Sequence, residues 1–247
     1  MLRSRMLLTF DHPHSSHPPD RAVERRAGRR RWRALLALTA CLATLVVGQP
    51  APVAAATTFS GSMAQAVSAI PTAAEANSGY DRTLFRLWVD ANGDCQNARA
   101  EVLISEAEAG TPITYTSSGQ CTVSTGRWFS YYDRVSWTSA SDVDIDHMVP
   151  LAEAWGSGAA GWTSARREAY ANDLDDYRTL VGVTDNVNQA KGDQDPATWL
   201  PTYDKCRYVA EWLAVKIRWG LSADPAEKSV LNSYAGSCST TITVTLA

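Results

Sequence analysis

Histidine is scarce in this 247-residue chain, and its distribution narrows the chemistry that the chain can perform. Three of the four histidines, His12, His14 and His17, lie within the first 56 residues, and only His147 lies beyond them. The imidazole has an ordinary pKa near neutrality, so it can accept and return a proton at that pH. In the stretch 144–150, Asp-Ile-Asp-His-Met-Val-Pro, a carboxylate precedes it directly. The sequence therefore predicts a general base beside a cation-binding carboxylate.

Several motifs are missing, and each absence argues against one class of site. No Cys-x-x-Cys pair occurs, which argues against a four-thiolate zinc site. No Gly-x-Ser-x-Gly motif occurs before a suitable triad, which argues against serine hydrolysis. The cluster 90–94 lacks the glutamate that ends a calcium-binding EF-hand loop, so it predicts a turn instead.

Basic residues are also scarce once the first 56 residues are set aside. Fourteen Lys and Arg then stand against 23 Asp and Glu, a formal charge of about −9, whereas the whole chain has −3. A protein that binds nucleic acid is expected to present a basic face. A polyanion would therefore have to meet a local cationic patch and a metal ion.

The first 56 residues have the composition of an export signal. Seven arginines fall within 21–33, the apolar run 34–47 follows, and three alanines at 54–56 offer a cleavage site before Thr57. The apolar run is short for a membrane span, and an uncleaved N-terminal anchor is the alternative. We expect a signal peptide over 1–56, a flexible arm rich in Ala, Ser and Thr over 57–79, and one domain over 80–240. The mature protein would be secreted and free of the membrane.

Four cysteines follow the signal, and an even number in an exported chain predicts two disulfides. Four cysteines allow three pairings. We favour Cys95–Cys121 and Cys206–Cys238, because each of these pairs joins neighbouring segments.

Local patterns predict a mixed α+β fold. Dense Thr, Tyr, Val and Trp residues punctuated by glycine predict paired short strands over 111–137, and alternation predicts a strand over 142–149. The apolar run 180–183 predicts another strand, followed by a helix over 186–191 with Asp185 as its cap. Helical composition over 99–108 and 162–174, and apolar periodicity over 203–219, predict further helices.

The order strand, connection, strand, helix over 143–191 resembles the HNH endonucleases, whose ββα-metal motif holds one divalent cation between a strand and a helix. The stretches 144–155, 167–174 and 188–199 more closely resemble secreted bacterial HNH proteins that share a domain with the C-terminal part of GmrSD-type restriction enzymes. The likeness runs over about 80–238. It implies an HNH core of short antiparallel strands and a metal-binding helix, surrounded by additional helices and held by the two disulfides.

The resemblance also implies a role for each residue of the site. His147 would draw a proton from the water that attacks a phosphodiester. Asp146 and Asn188 would hold Mg²⁺ or Mn²⁺, with Ca²⁺ left open. Lys191, one helical turn beyond Asn188, would approach the phosphate. Many relatives carry two Cys-x-x-Cys pairs for structural zinc, but no zinc is expected here, where the disulfides would take that structural part.

The partner that orients His147 stays open at this point. Thr179 stands where the HNH signature usually has its middle asparagine. A threonine hydroxyl can make a hydrogen bond, but Asn172 or Asp173 on the preceding helix are equally available alternatives.

Taken with the resemblance, these features predict a secreted, metal-dependent nuclease that hydrolyses DNA, with RNA left open, and has little sequence specificity. Arg99, Arg127 and Arg167 are the candidates for contacts with nucleic-acid phosphates. The alternative is a catalytically inactive secreted binding or structural domain that retains the HNH fold. An immunity or inhibitor protein as a further partner is left unknown by the sequence.

Overall fold

Seven strands and seven helices follow one another along residues 56–247, the part of the chain that this computed structural model describes. The strands are β1 (Thr58–Ser62), β2 (Thr114–Tyr115), β3 (Val123–Ser130), β4 (Val135–Ser139), β5 (Val143–His147), β6 (Leu180–Thr184) and β7 (Thr241–Thr245). The helices are α1 (Met63–Ala69), α2 (Ala98–Ser105), α3 (Leu151–Gly156), α4 (Ser164–Ala171), α5 (Asp185–Lys191), α6 (Lys205–Trp219) and α7 (Pro225–Ser237). The predicted α+β class is confirmed. The expected signal peptide lies, except for its last residue, outside the described residues and stays a prediction.

The stretch 57–79 is folded, so the prediction of a flexible arm was wrong. β1 pairs antiparallel with β7, with Phe59 opposite Val244, and α1 buries Met63 in the larger core. The helix begins with a capping box, in which the Ser62 hydroxyl accepts from the Gln65 amide and the Gln65 side chain accepts from the Ser62 amide. The strand partner is distant in sequence, which is why composition alone suggested an arm. The folded domain therefore extends beyond the predicted 80–240 at both ends.

The larger of two hydrophobic cores is built around α6. Trp212, Leu213 and Val215 are fully buried there, and burial of an aliphatic side chain such as Leu213 or Val215 stabilises the fold by about 1.5–3 kcal/mol. α6 has 15 residues and is the longest helix in the described part of the chain. Within residues 56–247, no helix combines the length and the apolar character that crossing a membrane requires.

β5 and β6 form a two-stranded antiparallel sheet that lies between the two cores. His147, at the end of β5, is opposite Leu180, at the start of β6. Ile145 and Leu180 pack into the smaller core with α2 and β3, whereas Val181 and Val183 pack into the larger one. Because both faces are covered, the sheet is a rigid support for the side chains at its end.

α5 follows β6 directly, so the predicted order of strand, strand and helix is present. Asp185, predicted as the helix cap, is instead the first helical residue, and Thr184 stands at the cap position without a side-chain bond to the helix. Gly192 ends the helix with a positive φ of 53°, a conformation that favours glycine.

Both predicted disulfides are present. Cys95–Cys121 joins the loop before α2 to the loop before β3, and Cys206–Cys238 joins the first turn of α6 to the residue after α7. The bonds join cysteines that are 26 and 32 positions apart, which restricts the unfolded chain.

Candidate active site

A cleft of about 190 Å³ opens at the end of β5, beside the first turn of α3 and the last turn of α5. Three of the predicted site residues line it: Asp146, His147 and Asn188. Arg82 and Asp193 also line it. The structure therefore brings the expected base and both expected metal ligands to one concave site.

His147 is oriented by the end of α4. Its Nε2 lies 3.0 Å from the carbonyl oxygen of Ala171, the last residue of that helix. Helix ends leave carbonyl groups without an intrahelical partner, so this carbonyl is free to accept a bond. Since a carbonyl only accepts, Nε2 carries the proton and Nδ1 is the acceptor of the neutral ring.

Burial keeps this imidazole neutral. The side chain is only 6% exposed, and its ring lies 5.9 Å from that of Trp88 and 6.2 Å from that of Tyr170. Burial lowers the pKa of His147 to about 4, and the charges of Arg82 and Lys191 act in the same direction, while the bond to Ala171 opposes them. At neutral pH the ring therefore has a free lone pair.

The side chain of Asp146 points from β5 towards α5 and the turn after β3. Its carboxylate accepts hydrogen bonds from the Lys191 ammonium, 2.7 Å from each oxygen, and from the Tyr132 hydroxyl at 2.6 Å. Burial raises the pKa of Asp146, whereas Lys191 and Tyr132 lower it. Oδ2 thus accepts two bonds and Oδ1 only one, which leaves Oδ1 with an acceptor position to spare.

Lys191 does not face the cleft, so its predicted approach to a phosphate was wrong. The side chain is fully buried, and it donates to Asp146 and to the His147 carbonyl at 2.9 Å. Burial lowers the pKa of Lys191, an effect that the Asp146 carboxylate opposes. A buried ammonium without a partner would be costly, and the carboxylate supplies that partner.

Asn188 is half-buried on α5 and is held by β5. Its amide nitrogen donates to Asp144 Oδ2 at 3.2 Å, which fixes the orientation of the amide and leaves its oxygen as the free group. An amide oxygen and a carboxylate oxygen are ligands that suit hard cations such as Mg²⁺, which commonly keeps several waters. The donor set of Asp146 and Asn188 therefore fits such an ion.

The three candidates for orienting His147 have other partners. The Thr179 hydroxyl donates to Asp173, which also binds Arg218, and both Thr179 and Asp173 are buried. The Asn172 amide binds main-chain atoms of the segment 80–89. The main-chain carbonyl of Ala171, and not one of these side chains, orients His147.

The three arginines predicted to contact nucleic acid do not line the cleft. Arg99 donates to two main-chain carbonyls beside β5, and Arg167 is buried and donates to three main-chain carbonyls. Arg127 is half exposed but pairs with Glu108 at 2.7 Å. The first two have structural positions, because their donors are used within the protein.

Sequence reasoning missed three contributors to the site. Tyr132 follows β3 and binds Asp146, and no local signal marks it. Ala171 acts through its main chain, so residue type carries no information. Arg82 lines the cleft from a short 3₁₀ helix, Arg82–Leu84. The sequence signal for this helix is Asp81, which caps it by accepting a hydrogen bond from the Thr83 amide.

Comparisons with known proteins agree with the resemblance seen in the motifs. A family model for the C-terminal domain of GmrSD restriction endonucleases matches residues 104–231. An uncharacterized secreted protein of Arthroderma benhamiae is 48% identical over 162 residues, which cover 65% of this chain and 76% of that protein. No solved structure matches the chain.

The relative is fungal, so the comparison does not support the expectation of a bacterial group. Its secretion and the two disulfides confirm the expected location, and the protein is extracellular. The family match covers β5, α3 and α5, the elements that supply most of the residues lining the cleft. The chain belongs to the family of the C-terminal domain of GmrSD restriction endonucleases.

Proposed function

We propose that the protein is a metal-dependent nuclease of the HNH type, which hydrolyses phosphodiester bonds of DNA outside the cell, with RNA left open. One observation carries the proposal: a neutral His147, held by the Ala171 carbonyl, shares a cleft with the carboxylate of Asp146 and the amide of Asn188. The family membership supports the same reading of β5, β6 and α5 as a ββα-metal core.

His147 is the general base in this proposal. Its Nδ1 takes a proton from the attacking water, and the Ala171 carbonyl stabilises the resulting charge on the ring. Positioned base assistance of this kind contributes about 10²–10⁴-fold to the rate.

Asp146 and Asn188 would hold the divalent cation, Mg²⁺ or Mn²⁺, through Oδ1 of each side chain. When bound, such an ion neutralises charge that develops on the phosphate and on the leaving oxygen. Lys191 and Tyr132 fix the Asp146 carboxylate, so its free oxygen keeps one orientation. The carboxylates of Glu75, Asp195 and Asp224 also come within 4.8 Å of one another, but none of them lines the cleft.

Little sequence specificity is part of the proposal. The cleft presents an imidazole, carboxylates, an amide and a guanidinium, which are groups suited to phosphate and metal. Contacts with phosphates position a nucleic acid but do not read its sequence.

Plasmid nicking by the purified mature protein tests the function. Nicking is expected with Mg²⁺ or Mn²⁺, and it should stop with EDTA or with His147→Ala. The variant His147→Gln, which keeps a side chain able to donate to Ala171, should fold like the wild type and stay inactive. Nicking that survives both EDTA and His147→Ala would refute the mechanism, and no nicking with any divalent ion would favour the inactive binding domain.

A further inference from the structure

A cationic side chain is needed at the cleft to bind the substrate phosphate, but Lys191, which was expected to do so, is buried. Fourteen basic side chains lie within residues 56–247. Most of them pair with carboxylates or donate to main-chain carbonyls. Arg82 is exposed, lines the cleft, and has no salt bridge within the described residues. Its positive charge acts to lower the pKa of Tyr80 and the pKa of His147.

The segment 80–89, which carries Arg82, is fixed to the rest of the fold. Phe85 is buried, with its ring 6.4 Å from that of Trp155 and 6.3 Å from that of Tyr170. Segments with such buried anchors do not open freely.

Two side chains hold this segment by its main chain, one from α4 and the other that of Asn172, the residue that follows α4. Asn172 accepts from the Val89 amide at 2.8 Å and donates to the Arg86 carbonyl at 2.7 Å. Arg167 donates to the Leu84 carbonyl at 3.3 Å. Because α4 also supplies the carbonyl that orients His147, one helix fixes the base and the segment together.

We infer that Arg82 binds the phosphate that is being cleaved and is a further catalytic residue of this protein. The inference rests on the proposed nuclease function. The guanidinium has donors in a planar fork that suits a phosphate, and it makes no salt bridge with a carboxylate of the described residues. The segment 80–89 lies outside the residues that the family model matches, 104–231. The phosphate contact would therefore come from a segment that precedes the matched residues.

Arg86 provides the matched control. It lies four residues further along the same segment, its side chain is 73% exposed, and it pairs with Glu168 away from the cleft at 3.5 Å. Arg82→Ala and Arg86→Ala remove the same charge from the same segment. Any difference between them reports the position of the charge and not the net charge of the protein.

Binding is measured first, without catalysis, in a His147→Ala background. A short fluorescein-labelled DNA duplex is titrated by anisotropy in Mg²⁺ at several salt concentrations. Adding Arg82→Ala should weaken binding and reduce the slope of log K against log salt by about one, whereas Arg86→Ala should change neither. In the active protein, Arg82→Ala should lower kcat/KM about 10²-fold, and Arg82→Lys should restore part of the loss.

The outcomes separate this inference from the proposed function. If the wild type cleaves and Arg82→Ala equals Arg86→Ala in both measurements, the inference is wrong and the nuclease stands. If the duplex binds through Arg82 but nothing is cleaved, the nuclease is wrong and the phosphate contact stands. If the duplex does not bind at all, both are wrong.

Discussion

Lys191 and Asp146 form a buried salt bridge in which the ammonium nitrogen lies 2.7 Å from each carboxylate oxygen. The third donor of the ammonium goes to the His147 carbonyl, so no proton of Lys191 is left for a substrate. The lysine ties α5 to the end of β5, where both the base and a metal ligand lie.

Lys191→Met should lower the free energy of unfolding by about 3–5 kcal/mol, because it leaves the buried Asp146 carboxylate without its partner. Urea unfolding measures this loss. Lys205→Met is the control, because Lys205 is exposed at the start of α6, and it should change stability by less than about 0.5 kcal/mol. A Lys191→Met protein with unchanged stability and no activity would indicate that the ammonium contacts the substrate.

Asn172→Ala should loosen the segment 80–89, since the amide bridges that segment to α4. We expect a loss of about 1–3 kcal/mol in stability, from unpaired main-chain groups, together with weaker duplex binding. Thr179→Val is the control, because it removes one buried hydroxyl bond to Asp173 without touching the segment. It should lower stability but leave duplex binding unchanged. Equal binding by the two variants would show that Asn172 does not position the segment.

The parts of the fold that the sequence predicted are those with local signals. Strict alternation over 143–147, the apolar run over 180–183 and the helical spacing over 205–219 each depend on neighbours in the chain. The cysteine pairs also join segments that are close in sequence. Two local signals were available but unused: the capping box at Ser62 and Gln65, and Asp224 before Pro225 at the start of α7.

The remaining features depend on contacts between distant residues. Ser60 of β1 and Thr243 of β7, which are paired, lie 183 positions apart, and neither strand has a partner nearby in the sequence. The burial of Lys191 depends on how α5 lies against β5, and the orientation of His147 depends on where α4 ends. Such contacts between distant elements cannot be inferred from residue type. The residues of the site were therefore predictable from the sequence, but the groups that bond to them were not.

Glu106 connects stability to pH through the main chain of β6. Its carboxylate accepts from the Gly182 amide at 2.7 Å. Burial raises the pKa of Glu106 to about 7, with Glu211 adding to the effect, while the Gly182 bond and Arg207 oppose it. The unfolded chain releases this proton near its ordinary value of 4.5. The folded protein therefore holds the proton more tightly than the unfolded chain does. Protonation of Glu106 contributes to the free energy of unfolding at low pH, and this contribution is lost as pH rises from about 4.5 to about 7.

Glu106→Gln removes this dependence, because the amide oxygen still accepts from Gly182 but cannot ionise. The variant should match the wild type near pH 5 and have the higher thermal midpoint near pH 8, where the wild type holds a buried charge. Glu101→Gln on the same helix removes the same charge and controls for the overall charge of about −9. Since Glu101 accepts from the Asn92 side chain at the surface and not from the main chain of β6, its replacement should give a smaller gain. If the two variants gain equally near pH 8, the effect comes from net charge, and Glu106 does not titrate as its buried position requires.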